Sequence, residues 1–209
     1  MNPVLLVIAG PNGAGKTTVT VKLKVEKWSD NVEYLNPDDV ARDRFGDWNS
    51  PKAVIQAATW VSARREELLQ AHLGIAFETV FSTTEKLEFL NRAQAAGYFV
   101  RVFFVGTSDP RINAARVADR VIRGGHSVPI DKIVSRYERS MLNLSLAIRT
   151  VDRCYIYDNS KDGADAALCV RTADGLLRKV YRELPLWVSD AVDGVGKHPD
   201  FEDLRSTTP

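Results

Sequence analysis

Val4-Leu5-Leu6-Val7-Ile8-Ala9 leads directly into Gly10-Pro11-Asn12-Gly13-Ala14-Gly15-Lys16-Thr17. The first part is apolar throughout and rich in β-branched residues, the pattern of a strand buried on both faces. The second part fits G-x-x-x-x-G-K-[ST], and a helical stretch follows it to about residue 27. Strand, glycine loop and helix in that order make a P-loop. The glycines let backbone N–H groups turn inward on phosphate oxygens, and the helix N-terminus adds partial positive charge. Residues Gly10, Pro11, Asn12, Gly13, Ala14, Gly15, Lys16, Thr17 and Thr18 are the expected nucleotide-binding set. Lys16 is expected to reach the β- and γ-phosphates, and Thr17 Oγ to ligate magnesium. ATP and Mg2+ are the expected cofactors.

Outward from this junction, short apolar runs alternate with helical patterns. Strands are expected at Val32–Leu35, 75–81, 99–105 and 154–157. Ser50-Pro51 and Asp109-Pro110 each pair an N-cap residue with proline at the first helical position, so helices start there. Gly74 and Gly97 stop the intervening helices, and Pro129 opens a long one. This alternation means an α/β protein with a mainly parallel sheet of five strands. After it, Asp174-Gly175 between apolar runs signals an antiparallel hairpin at about 166–183. Residues 1–193 form the expected single domain, with an arginine-bearing helical segment at about 109–150. Residues 194–209 are expected to be a polar, frayed C-terminal tail.

Composition narrows the function. Lys+Arg is 28 and Asp+Glu is 27, so the chain has no broad cationic field and nucleic acid is not the expected partner. No apolar run approaches the ~18 residues of a membrane span. The start, Met1-Asn2-Pro3, lacks signal-peptide character, and Cys154 and Cys169 sit in apolar surroundings without a CxxC. A cytoplasmic protein with reduced thiols is expected. His72, His126 and His198 have no metal-ligand spacing, which argues against zinc.

The acids at strand ends are Asp38 and Glu78. Residues just past strand C-termini line the ligand crevice of a parallel sheet, so Asp38 opens onto the P-loop edge. A carboxylate there can take the proton of an attacking hydroxyl, or it can cap the following helix, or do both. No acid ends the strand at 99–105 and no N-K-x-D motif exists, which favours a small-molecule kinase over a motor ATPase or a switch GTPase. Glu78 interrupts an apolar strand and needs a partner, whether Thr79, Arg42, a magnesium-bound water or a substrate hydroxyl. Arg116, Arg120 and Arg123 fall on one stripe of a helix that ends in Gly124-Gly125-His126. They form either a solvated salt-bridge face with Asp119 or a clamp on the transferring phosphoryl group.

The P-loop, Asn36-Pro37-Asp38 with Arg42, Glu78-Thr79, the Arg116–Arg123 stripe, Arg136-Tyr137 and Tyr157-Asp158-Asn159-Ser160 together resemble the zeta-toxin-type P-loop kinases over about residues 4–182. The resemblance implies a three-layer α/β sandwich with strand order 2-3-1-4-5. It implies Asp38 as catalytic base, Lys16, Arg120 and Arg123 on the phosphates, and Glu78, Thr79, Arg42 and Arg116 toward the substrate. It further implies a nucleotide-sugar acceptor, UDP-N-acetylglucosamine, and a separate antitoxin protein as partner. A strand beginning by Val4 leaves no expected antitoxin domain ahead of it. A kinase for another hydroxyl, such as a polynucleotide 5′-end or a small metabolite, and a non-catalytic nucleotide-binding module are the competing readings.

Overall fold

The computed structural model describes residues 2–23, 31–46, 50–124 and 128–205. Strand β1 (Val4–Ala9) enters the P-loop, and α1 (Lys16–Leu23) leaves it. β2 (Val32–Leu35) is followed by α2 (Pro37–Phe45) and the long α3 (Pro51–Gln70). β3 (Gly74–Thr79), α4 (Thr84–Ala95), β4 (Phe99–Gly106), α5 (Pro110–Ile122), α6 (Ile130–Ile148) and β5 (Arg153–Asp158) complete the alternating part. The hairpin β6 (Ala167–Ala173) and β7 (Leu176–Val180), then α7 (Leu186–Ala191) and β8 (Lys197–Asp203), close the chain. The expected Gly124-Gly125-His126 hinge falls mostly outside the described residues, since only Gly124 belongs to them.

Among the described residues, eight strands form one sheet, in the order β2-β3-β1-β4-β5-β6-β7-β8. The pairs from β2 to β5 are parallel, and β6 and β7 are antiparallel to their predecessors. The parallel part thus has the order 2-3-1-4-5. The hairpin turns at Asp174 and Gly175, both with positive φ (51° and 77°), as a two-residue turn of matching twist demands. The tail is a correction to the sequence reading. Residues 197–203 are not frayed but pair in parallel with β7 as an eighth strand. Lys179 and Arg178 of β7 hold Glu202 of β8 at 2.7 and 2.9 Å.

Alternate residues of the strands point into two layers. Leu5, Val7, Ile75, Phe77, Val102, Phe104 and Ile156 pack with side chains of α3, α4, α6 and α7 in the main core. Leu6, Ala76, Phe103 and Val105 face the other way, with Val19 and Leu23 of α1. Helices on both faces make the three-layer arrangement, and they bring the C-terminal ends of β1 to β4 to one edge. Helix starts at that edge follow local chemistry. Asn36 caps α2 through a bond from the Asp38 N–H (2.9 Å), with Pro37 in the first turn. Ser50 and Asp109 cap α3 and α5 in the same way, each before a proline.

Candidate active site

The P-loop wraps the start of α1 and is tied down from three sides. Gly10 N–H donates to Thr79 O of β3 at 3.2 Å. Asn113 of α5, fully buried, donates to Asn12 O at 2.6 Å and accepts a short bond from Thr107 past β4. Asn159, after β5, donates to Ala14 O at 2.8 Å. Gly10 has φ +144°, and a Cβ there would run into the Val105 carbonyl. Only glycine fits such a position. The loop is therefore held in shape by its neighbours before any ligand arrives.

A cleft of about 430 Å³ lies over this loop. Its walls include Lys16, Thr17, Asp38, Glu78, Arg116 and Arg120. Residues from the P-loop, the β2 exit, β3 and α5 thus converge at one edge of the sheet. Lys16 Nζ donates to the carbonyls of Gly10 (2.8 Å) and Pro11 (3.0 Å). Burial lowers its pKa to about 8, against the opposing pull of Glu78 and with a further push from Arg120. A lysine in that state is readily recharged by an incoming phosphate.

Asp38 occupies the second position of α2, and its carboxylate has no hydrogen-bond or ion-pair partner among the described residues. Asn36, not Asp38, caps the helix. Glu78 is held differently from the expectation. Its Oε1 accepts from Thr20 Oγ1 (2.6 Å) and Tyr34 OH (2.9 Å), so neither Thr79 nor Arg42 is its partner. Desolvation and the Glu78 charge raise the Tyr34 pKa, which keeps the phenol a donor. Glu78 Oε2 receives no bond from the described residues, and Thr17 Oγ none either. The Thr17 hydroxyl, a hard oxygen donor on the cleft wall, suits Mg2+.

The arginines divide. Arg120 lines the cleft and contributes to the low Lys16 pKa. Arg116 lines it too, anchored by Asn159 O (2.8 Å) and Asp162 (2.7 Å). Arg123 stands at the C-cap of α5, exposed and away from the cleft walls. Arg42 is also outside, exposed and bonded to Asp39 and Asp43 at 3.0 Å each. Thr79 lines the cleft, and its Oγ1 accepts from the Phe81 N–H at 3.1 Å. Sequence reasoning missed Thr20, Tyr34 and Asn113. The only signal for Asn113 was a small polar residue at an inward position of α5.

Among the described residues, no helix is long and apolar enough to cross a membrane. An uncharacterised protein of Haemophilus influenzae is 26% identical over 128 residues, covering 61% of this chain and 88% of that one. A solved chain of the PezAT chromosomal toxin-antitoxin system of Streptococcus pneumoniae superposes with a TM-score of 0.54 at 19% identity, over 76% of this chain and 69% of that one. The AvrRxo1-ORF1:-ORF2 structure with ATP gives a TM-score of 0.61 at 15% identity, over 84% of this chain. The chain spans 60% of the AvrRxo1 chain it matches. These likenesses show the fold alone, an α/β fold that resembles the P-loop kinases, with antiparallel strands added at the C-terminal end. The family model described as Zeta toxin covers residues 1–164, which hold the P-loop, Asp38, Glu78 and the α5 arginines, and the chain belongs to the zeta-toxin family.

Proposed function

We propose that this chain is an ATP-dependent kinase that transfers the γ-phosphoryl group to a hydroxyl of UDP-N-acetylglucosamine. It acts in the cytoplasm as the toxin of a toxin-antitoxin pair. Membership of the zeta-toxin family supports the toxin role, and the PezAT likeness is consistent with a separate antitoxin. The observation that carries the kinase reading is the Asp38 carboxylate, without a partner among the described residues, in the same cleft as Lys16 and Arg120.

The chain's own groups divide the work. The P-loop N–H groups and Lys16 bind and orient the β- and γ-phosphates. Thr17 Oγ would hold Mg2+, which would supply charge neutralisation on the phosphate oxygens. Asp38 accepts the proton of the acceptor hydroxyl as that oxygen attacks. Arg120 neutralises charge on the equatorial oxygens in the transition state, and Arg116 steadies the nucleotide side. Glu78, fixed by Thr20 and Tyr34, orients the acceptor through Oε2.

The test is ADP release across a panel of UDP-sugars, free sugars, nucleosides and 5′-hydroxyl oligonucleotides. Stimulation by UDP-N-acetylglucosamine, abolished in Lys16→Ala, is the expected result. Stimulation by an oligonucleotide or nucleoside with none by any UDP-sugar would replace the acceptor. No stimulation by any hydroxyl compound would favour a non-catalytic nucleotide-binding module.

A further inference from the structure

Two asparagines brace the P-loop, and they are supported from different parts of the chain. Asn113 is backed by Thr107, whose carbonyl accepts from Tyr137 OH of α6 at 2.6 Å. All three residues lie within the 1–164 span of the family match. Asn159 follows Asp158, and Asp158 is held by Trp187 of α7, which lies beyond that span. We propose that Trp187 is a positioning residue of the nucleotide site, fixing through Asp158 the turn from which Asn159 shapes the P-loop. The inference rests on the nucleotide-binding part of the reading above and does not depend on the acceptor.

Asn159 joins three elements at once. Its N–H donates to Gly106 O at the end of β4 (2.8 Å) and its Nδ2 to Ala14 O of the P-loop (2.8 Å). Its carbonyl accepts from Arg116 Nη1 of α5 (2.8 Å). The loop is moulded to this side chain, because a Cβ on Gly15, at φ +89°, would stand 2.3 Å from Asn159 Nδ2. The C=O and N–H of one trans peptide point in opposite directions. A bond that holds the Ala14 carbonyl therefore also aims the Gly15 N–H, one of the donors that a P-loop offers to phosphate. Any shift of the turn moves that donor and the Arg116 anchor together.

Trp187 touches both supports of the turn. Its Nε1 donates to Asp158 Oδ1 at 2.9 Å, and the same oxygen accepts from Ser160 Oγ at 2.6 Å. Ser160 Oγ accepts in turn from the Ser108 N–H at 2.9 Å, which ties the turn to the exit of β4. The indole also presses on Gly106, where a Cβ would stand 2.6 Å from Trp187 Cη2. Gly106 is the residue whose carbonyl takes the Asn159 N–H. α7 is itself anchored, since Val188 is fully buried in the main core and Asp193 O accepts from Arg149 at 2.8 Å. Elsewhere Trp187 borders an open groove beside Tyr137, Met141 and Asp190. Packing alone thus leaves the ring some freedom, and the bond to the Asp158 carboxylate, of the stronger charge-assisted kind, fixes it. The segment after residue 164 is in this way part of the site's support.

The experiment measures magnesium-ATP binding to the full chain by calorimetry, well below the melting temperature of every variant. Wild type is compared with Trp187→Phe, Asn159→Ala, the double variant and a Trp60→Phe control. Trp187→Phe keeps an aromatic ring and removes the N–H. It should weaken ATP binding about fivefold, and Asn159→Ala about tenfold. Because Trp187 acts through the Asn159 turn, the double variant should bind no more weakly than Asn159→Ala. Trp60→Phe, whose ring lies against Arg44 instead, should bind as wild type does. A Trp187 that merely stabilises the fold would lower the melting temperature and leave the affinity of the folded protein unchanged. That result, a double variant showing the product of the two losses, or an equal loss in Trp60→Phe would overturn the inference. If Trp187→Phe does not fold, Asp158→Ala is set against Asp158→Asn, which keeps an oxygen acceptor for the indole. Weakening in the first and wild-type affinity in the second are expected, and equal affinities would overturn the inference. Wild-type ATP binding that Trp187→Phe leaves intact removes this inference and keeps the nucleotide reading, whereas no ATP binding by wild type removes both.

Discussion

Lys16 makes the site's chemistry measurable without knowing the acceptor. Burial brings its pKa to about 8, with the Glu78 carboxylate pulling the other way and Arg120 adding to the depression. Without nucleotide, Lys16 is charged below that pH and loses its proton as the pH rises through it. A phosphate group beside Nζ favours the charged form and moves the pKa back up. Binding of magnesium-ATP must then take up protons in the window above about pH 7. From the pKa of about 8, the uptake is about half a proton at pH 8, about a tenth at pH 7 and about nine-tenths at pH 9. The assay is calorimetry in paired buffers of different ionisation enthalpy, where the slope of observed enthalpy against buffer enthalpy counts protons. Lys16→Met should flatten the slope. A flat slope for wild type at pH 8 and pH 9, with ATP bound, would refute the argument that burial neutralises this lysine or that it meets the phosphates.

Gly10→Ala forces a Cβ against the Val105 carbonyl at φ +144°, a penalty of about 2–5 kcal/mol from strain plus overpacking. Thermal melting should fall by about 4 °C or more, and ATP binding should weaken with it. A wild-type melting curve would show that the loop adapts. Tyr34→Phe removes one of two donors to Glu78 Oε1 and should lower kcat about tenfold while leaving the KM for ATP unchanged. An equal rise in that KM would place Glu78 on the nucleotide instead. Arg120→Ala should lower kcat more than it raises the KM for ATP, whereas Arg123→Ala, outside the cleft, should leave both near wild type. Equal losses in the two variants would restore the full arginine stripe as the clamp.

What could be read in the chain depends on whether the signal is local. Ser50-Pro51 and Asp109-Pro110 carry cap and helix start within a few residues, and each opens a helix in the structure, whereas the cap of α2 is Asn36 and not Asp38. The P-loop is equally local, and the strand-end rule puts Asp38 and Glu78 beside it. β8 was not legible. Lys-His-Pro-Asp-Phe-Glu-Asp lacks apolar alternation, and its strand state comes from pairing with β7 and from Glu202 meeting Lys179 and Arg178. Pro199 is tolerated because β8 is an edge strand. The same distinction runs through the site. Tyr34 and Thr20 matter through Glu78, 44 and 58 positions away in the chain, and Asn113 through Asn12, 101 positions away. Such pairings leave no pattern along the sequence.

The most direct test of the account is the mass of the acceptor after incubation with magnesium-ATP, wild type beside Asp38→Asn. The account predicts that wild type adds one phosphoryl group to UDP-N-acetylglucosamine. It predicts that Asp38→Asn, which binds ATP normally, does so ~10²–10⁴-fold more slowly. An unmodified nucleotide sugar with wild-type protein would contradict the acceptor, and a variant that keeps half the wild-type rate would contradict Asp38 as the base.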